Sequence, residues 1–154
     1  MFCPIGLDAP PAVGRRTTPV AAAMLLLALA GCGGEPFRYT QASGKVTYDD
    51  GSLIPAHRLE VTFLPQAEQA GAAQPRPAVA EVDVKSGAFN EVTSHKFGDG
   101  MLPGRHKVLV KALDNRGSPT DLVPAEYRDP KKTPLEVDTK NSPFDLKVAR
   151  PGRK

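Results

Sequence analysis

After about Ala42 the chain settles into apolar and polar residues that alternate with period two, the pattern of strands that bury one face. In GKVTY, Val46 and Tyr48 fall on one side and Lys45 and Thr47 on the other, and Asp49-Asp50-Gly51 supplies a turn. In HRLEVTFLP, Leu59, Val61 and Phe63 alternate with Arg58, Glu60 and Thr62 until Pro65, which has no N–H for a ladder, ends the strand. Residues 66–77, QAEQAGAAQPRP, break the period, and Gly71 with two prolines predicts a mobile insertion. Val82 and Val84 then alternate with Glu81, Asp83 and Lys85, and Ser86-Gly87 leads into AFNEVTSH, a weaker strand with Phe89 and Val92. These two are expected to form a hairpin.

In GDGMLPGRHKVLVKAL, Val108, Val110 and Ala112 share one face while Leu109 and Leu113 occupy the other, which predicts a central strand. LEVDT turns Leu135 and Val137 inward, and FDLKV does the same with Phe144, Leu146 and Val148. Short strands with turn signals between them, no convincing helix and 12 prolines after Cys32 predict an all-β fold, a single antiparallel β-sandwich of about seven strands over residues 42–149. Residues 150–154, RPGRK, form a basic tail that reads as a solvated terminus rather than a phosphate-binding patch.

The N-terminal pattern is different. Val20 to Ala30 is an apolar run of 11 residues, where a membrane-spanning helix needs roughly 20 and a signal-peptide core roughly 7 to 15. Arg15 and Arg16 precede it, and Gly33, Gly34 and Pro36 close it. The flanks VGRRTTPV lack the residues of a twin-arginine signal, so the two arginines read as ordinary n-region charge. The stretch before them is long for a leader, and a translation start at Val13 gives a compact charged n-region.

Leu29-Ala30-Gly31-Cys32 resembles the lipobox of bacterial lipoproteins. The resemblance implies a signal peptide over 1–31, cut before Cys32, diacylglycerol on the thiol, acylation (palmitate) of the new amino group, and a lipidated tether over 32–41. Each buried CH₂ of an acyl chain contributes about 0.8 kcal/mol, so two or three chains hold stably where one does not. Gly33 stands where an Asp marks inner-membrane retention in enteric bacteria, so the same resemblance favours the outer membrane, facing periplasm or exterior.

Composition narrows the function. The lipobox resemblance implies that Cys3 leaves with the leader and that Cys32 is consumed by lipid, which would leave the mature part no thiol for disulfides or metals. The chain has 20 basic and 17 acidic side chains; removing Arg15, Arg16 and Asp8 leaves 18 against 16, a balance that argues against a nucleic-acid partner.

The phrases SGKVTYDDGSLIPAHRLEVTF, SGAF and GDGMLPGRHKVLVKA resemble carboxypeptidase regulatory-like and transthyretin-like sandwich modules, through Gly44, Val46, Asp50, Gly51, Gly87, Phe89, Pro103, Gly104, His106, Val108 and Val110. With PAEYRDPKKTPLEVDTKNSPFDLKV, the chain is also similar to small lipoproteins of planctomycete bacteria. The matched positions shape turns and core, so the resemblance implies a fold and a spacing, folding or ligand-binding role rather than a reaction.

No catalytic constellation is read: G-x-S-x-G, H-E-x-x-H and C-x-x-C are missing. No metal site or cofactor is expected either, because His57, His95 and His106 fit no ligand spacing, and Asp49, Asp50 and Asp99 sit in glycine-rich turns that lack the alternating oxygens of a calcium loop. The long connection ALDNRGSPTDLVPAEYRDPKKTP is the candidate binding loop, with Tyr127 as an aromatic platform, Arg128 as a polar clamp and Arg116 nearby. The competing and favoured reading makes Tyr127 a cover for the open end of the core. The expected function is a non-enzymatic, lipid-anchored structural or interaction module of the cell envelope, its partners the membrane and an envelope protein or polysaccharide. Alternatives are a carbohydrate- or peptide-binding module and, less favoured, a small transthyretin-like hydrolase.

Overall fold

The computed structural model describes residues 37–67 and 74–152. Its eight strands are β1 (Gly44–Tyr48), β2 (Arg58–Pro65), β3 (Ala78–Val82), β4 (Ala88–Phe89), β5 (Val92–Thr93), β6 (Arg105–Leu113), β7 (Glu136–Asp138) and β8 (Phe144–Val148). They form two sheets, ordered β4-β1-β8 and β5-β3-β2-β6-β7. Helical structure among the described residues is limited to 3-10 turns at Ala125–Arg128 and Thr139–Asn141. The all-β sandwich expected from the alternation is therefore present.

The period-two faces meet between the sheets. Val61, Phe63, Val108, Val110 and Ala112 from one sheet, and Val46 and Val148 from the other, are wholly buried, with Leu59, Leu146 and Phe144 nearly so. Fully burying each such large side chain contributes about 1.5–3 kcal/mol, which makes this layer the main source of stability. The Phe63 ring packs against Phe89 at 5.8 Å, Phe144 at 5.9 Å and, edge-on, His106 at 6.5 Å. β6 lies between β2 and β7, and Leu109 and Leu113 on its second face are only 6% exposed, as a central strand requires.

One pairing departs from the antiparallel pattern. β1 and β8 run parallel, in register from Gly44↔Phe144 to Tyr48↔Val148, while all other strand pairs are antiparallel. Period two fixes which face a side chain takes and leaves strand direction open, because both ladders share it.

The expected hairpin also resolves differently. β3 stops at Val82 because the Asp83 carboxylate accepts from the Lys85 N–H and the Ser86 hydroxyl, which folds 83–87 into a turn and leaves Val84 outside any strand. AFNEVTSH then divides between sheets. Ala88 and Phe89 pair with β1, whereas Val92 and Thr93 pair with β3. The predicted insertion at 66–77 lies in part, residues 68–73, outside the described residues.

The long connection after β6 covers a strand edge. Pro119 bridges to Leu113, Thr120 donates from its amide (2.8 Å) and its hydroxyl to the Ala112 carbonyl, and the Thr133 hydroxyl donates to Val108 O at 2.6 Å. Unpaired backbone along an edge invites pairing with other chains, and the loop covers that edge at Val108 and at Ala112–Leu113.

The sandwich has two distinct ends. The starts of β1 and β8 lie with Phe63 and Phe89 at the N-terminal end, where Thr40 joins the domain by bridging to Met101. The ends of β1 and β8 lie at the C-terminal end, where Tyr48 reaches Leu122 and the chain leaves through Arg150.

Candidate interaction surfaces

At the C-terminal end, Tyr48 closes β1 with its ring buried and its hydroxyl donating to Leu122 O at 2.8 Å. The Arg150 guanidinium lies 4.7 Å above that ring. Arg150 Nε donates to the Asp50 carboxylate at 2.8 Å and its Nη2 to the Ser52 hydroxyl at 2.7 Å. Hydrogen bonds from the Ser52 hydroxyl and amide, and then the guanidinium, hold the Asp50 carboxyl down at about 2. A groove of about 470 Å³ borders this clasp, lined by Tyr48, Leu53, Pro55, Leu122, Arg150 and Pro151. The Tyr48 ring is buried beneath the guanidinium and presents no face, so what this groove offers a sugar hydroxyl or a peptide carbonyl is the held guanidinium of Arg150 at its rim. The sequence reading puts Arg150 in a solvated tail, and no local pattern ties it to Asp50, 100 positions away.

The candidate loop residues have separate surroundings. Tyr127 is 5% exposed, sits in the core cluster, and its hydroxyl accepts from the Ala149 N–H at 3.0 Å. It is therefore a cover on the core, the second of the two readings of this residue, and presents no ring face to a ligand. Arg128 is half-buried, donating to Thr120 O at 3.5 Å and lying 3.9 Å from Asp121. Arg116 is exposed on a turn held by the Asp114 carboxylate, which accepts from the Arg116 and Ser118 N–H groups. Among the described residues no hydrogen bond or ion pair joins any two of the three.

The three histidines sit on different elements of the fold. His57 precedes β2, whereas His106 pairs with Pro65 at the other end of that strand, a separation of roughly 25 Å at the usual strand rise. His95 is exposed on the loop after β5, with Nδ1 2.9 Å from Arg76 Nη1. His106 is 1% exposed, and its Nδ1–H donates to Gly104 O at 3.2 Å. Burial pushes its pKa below the ordinary value, outweighing the Gly104 carbonyl and the Asp138 charge, so the ring is neutral near pH 7. No cluster of three or more metal-ligating side chains occurs among the described residues.

At the N-terminal end, residues 93–100 form a loop built around Asp99. Its carboxylate accepts from the N–H groups of Ser94 (2.8 Å), His95 (3.0 Å) and Lys96 (2.9 Å). Burial opposes ionisation there, and the three N–H bonds outweigh it, leaving the pKa lowered. Gly98 N–H donates to Thr93 Oγ1, and the Gln41 side chain donates to Gly98 O, which fastens the loop to the segment that enters the domain. At its tip Phe97 is 84% exposed, far more than Leu53 and Val79, which are each 38% exposed. Nothing in the alternation singles out Phe97, yet a phenylalanine among turn formers, in HKFGDG, has no strand partner to bury it, and that signal is present in the sequence.

A slot of about 330 Å³ opens where β7 and β8, edges of the two sheets, come together, with Val137 and Phe144 among apolar groups and Arg105, Asp138 and Asp145 among charged ones. Leu29, Ala30, Gly31 and Cys32 lie outside the described residues. Comparison with protein-family models, with curated proteins and with solved structures finds no match.

Proposed function

We propose that the protein is a non-enzymatic, lipid-anchored module of the bacterial cell envelope, held to the membrane through Cys32 and presenting a β-sandwich as a structural or interaction domain. The observation that carries the reading is the order of the leader: basic residues, an 11-residue apolar core and then Leu29-Ala30-Gly31-Cys32. The use made of polar groups in the domain agrees with a non-catalytic role. Asp50, Asp83, Asp99 and Asp114 bind turn N–H groups, Tyr48 and Tyr127 join distant segments, and His106 is sealed against Phe63. The test is mass spectrometry of the mature N-terminus combined with cross-linking in intact envelopes, comparing wild type with Cys32→Ser. The reading expects a diacylglyceryl, N-acylated Cys32 and a defined partner captured only by the wild type. A mature N-terminus elsewhere, or an unmodified Cys32, overturns it.

A second reading, a carbohydrate- or peptide-binding module, draws on the groove beside Tyr48 and Arg150. It expects envelope glycans or peptides to raise the thermal midpoint of wild type and to lose that effect in Arg150→Ala. A panel without any saturable shift would remove it.

A further inference from the structure

The geometry points to the Asp99-built loop as a membrane-contact element: Phe97 enters the interfacial region of the bilayer that holds the anchor and fixes which end of the sandwich faces the lipid. The inference rests on the reading of Cys32 as the lipid attachment point.

The first observation is the exposure of Phe97 on a loop that is not loose. Three N–H bonds to the Asp99 carboxylate, the Gly98–Thr93 bond and the Ser94 hydroxyl on Gly100 O fix the backbone on both sides of the ring. A held backbone presenting a bare aromatic ring loses little conformational freedom when the ring is covered. The second observation is place. Thr40 bridges to Met101, and the Gln41 side chain reaches Gly98 O, so Phe97 is adjacent to the point where the chain enters the domain. Gln41 is only nine positions after Cys32 in the sequence, so the segment that fastens the loop is also the one that leads from the acylated residue. The third is chemistry. Phe37, Arg38 and Tyr39 precede Thr40, and His95 and Lys96 adjoin Phe97, with Arg76 beside His95. Aromatic rings interleaved with basic side chains suit the boundary between acyl chains and anionic headgroups. The acid in the loop, Asp99, is turned inward onto the backbone.

The occupant is thus a lipid surface of net negative charge. The anchor makes the encounter intramolecular, so even a weak contact is populated.

The sequence has no tryptophan, so Phe97→Trp installs a single reporter at the loop tip. Leu53→Trp places the same reporter at the C-terminal end, beside the groove. The full chain of each variant, as processed by a bacterial envelope, is reconstituted into vesicles of phosphatidylethanolamine and phosphatidylglycerol, with and without brominated acyl chains, and the mass of the Cys32 peptide is read from the same sample. The expected result is emission from Phe97→Trp that is shifted to the blue, quenched by brominated lipid and shielded from iodide, with Leu53→Trp showing the reverse. An acylated Cys32 with the loop-tip indole open to iodide and untouched by bromolipid overturns the inference and leaves the anchor standing. Equal bromolipid quenching in both variants also overturns it, because contact is then not specific to one end. An unmodified Cys32 with the loop-tip indole still quenched supports the contact while removing the anchor; an unmodified Cys32 with that indole unquenched removes both.

Discussion

The two ends of the sandwich use similar residues in opposite ways. At the C-terminal end, aromatic and charged side chains tie distant parts of the chain together: Tyr48 to Leu122 across 74 positions, Arg150 to Asp50 across 100, and Tyr127 to Ala149 across 22. At the N-terminal end, Asp99 binds amides three to five positions away and the adjacent Phe97 projects outward. Long-range bonds need the completed sandwich before they can form, so they close the core and depend on its integrity. Local bonds shape the loop tip, which Gln41 fastens to the domain from 57 positions away, and they leave a ring available for a partner. Closure and display are thus separated by sequence distance rather than by residue type.

The largest test of this contrast is Tyr127→Ala. Removing a buried aromatic costs about 3–5 kcal/mol, and the loss of the hydroxyl leaves the Ala149 N–H without that partner. Tyr127→Phe keeps the ring and should cost only about 0.5–1.5 kcal/mol, so chemical denaturation of the pair separates core filling from edge capping. If the two variants behave alike, Tyr127 is not the cover described here.

Next comes Gly100→Ala. Gly100 has φ +98°, and an added Cβ would collide with the Thr40 carbonyl. Strained backbone of this kind costs about 1–3 kcal/mol. The loss should appear in hydrogen exchange as selective opening of the Thr40–Met101 bridge, with the C-terminal end still protected.

A pH titration reads the buried histidine that packs on Phe63. The folded pKa of His106 lies below its unfolded value near 6.5, so at lower pH the unfolded chain binds more protons. The stability from burying a neutral ring is full above about pH 6.5 and declines as pH falls below it, toward the lowered folded value. The thermal midpoint should follow that course in wild type and lose this segment of the pH profile in His106→Phe.

Arg150→Ala is the smallest perturbation. Its ion pair with Asp50 is exposed on both sides, so the change in midpoint should be slight and should shrink in salt. Below about pH 4 a second effect enters, because Asp50 is held at about 2. Stability from its ionised form is present above the unfolded carboxylate range and lost as pH falls through about 2. The variant should lose the part of this acid segment that Arg150 supplies and keep the larger part due to Ser52.

Much of the fold is legible because the signal of period two is local. Val46 and Tyr48, Leu59 to Phe63, and Phe144 to Val148 each declare an inward face within a few residues, and β6 declares a buried second face through Leu109 and Leu113. Neighbour identity is not local, and there the alternation misleads. Phe89 pairs with β1 and Val92 with β3 although three positions separate them, and β8 joins β1 in parallel. The candidate surfaces are legible in the same measure. Tyr127 is the cover that one of its two readings makes it; Arg150 meets Asp50 only through the fold; and Phe97 escapes a search by alternation because it belongs to no strand.

The parallel pair of terminal strands has a mechanical consequence. The chain enters β1 at one end of the sandwich and leaves β8 at the other, and the two strands are direct neighbours in register over five residue pairs. Tension between the two termini therefore slides β1 and β8 along each other in opposite directions. All the ladder hydrogen bonds bear that load together, as in a lap joint, instead of opening one after another like a zipper. A domain fastened by its N-terminus and gripped by its C-terminus would resist extension by its strongest geometry.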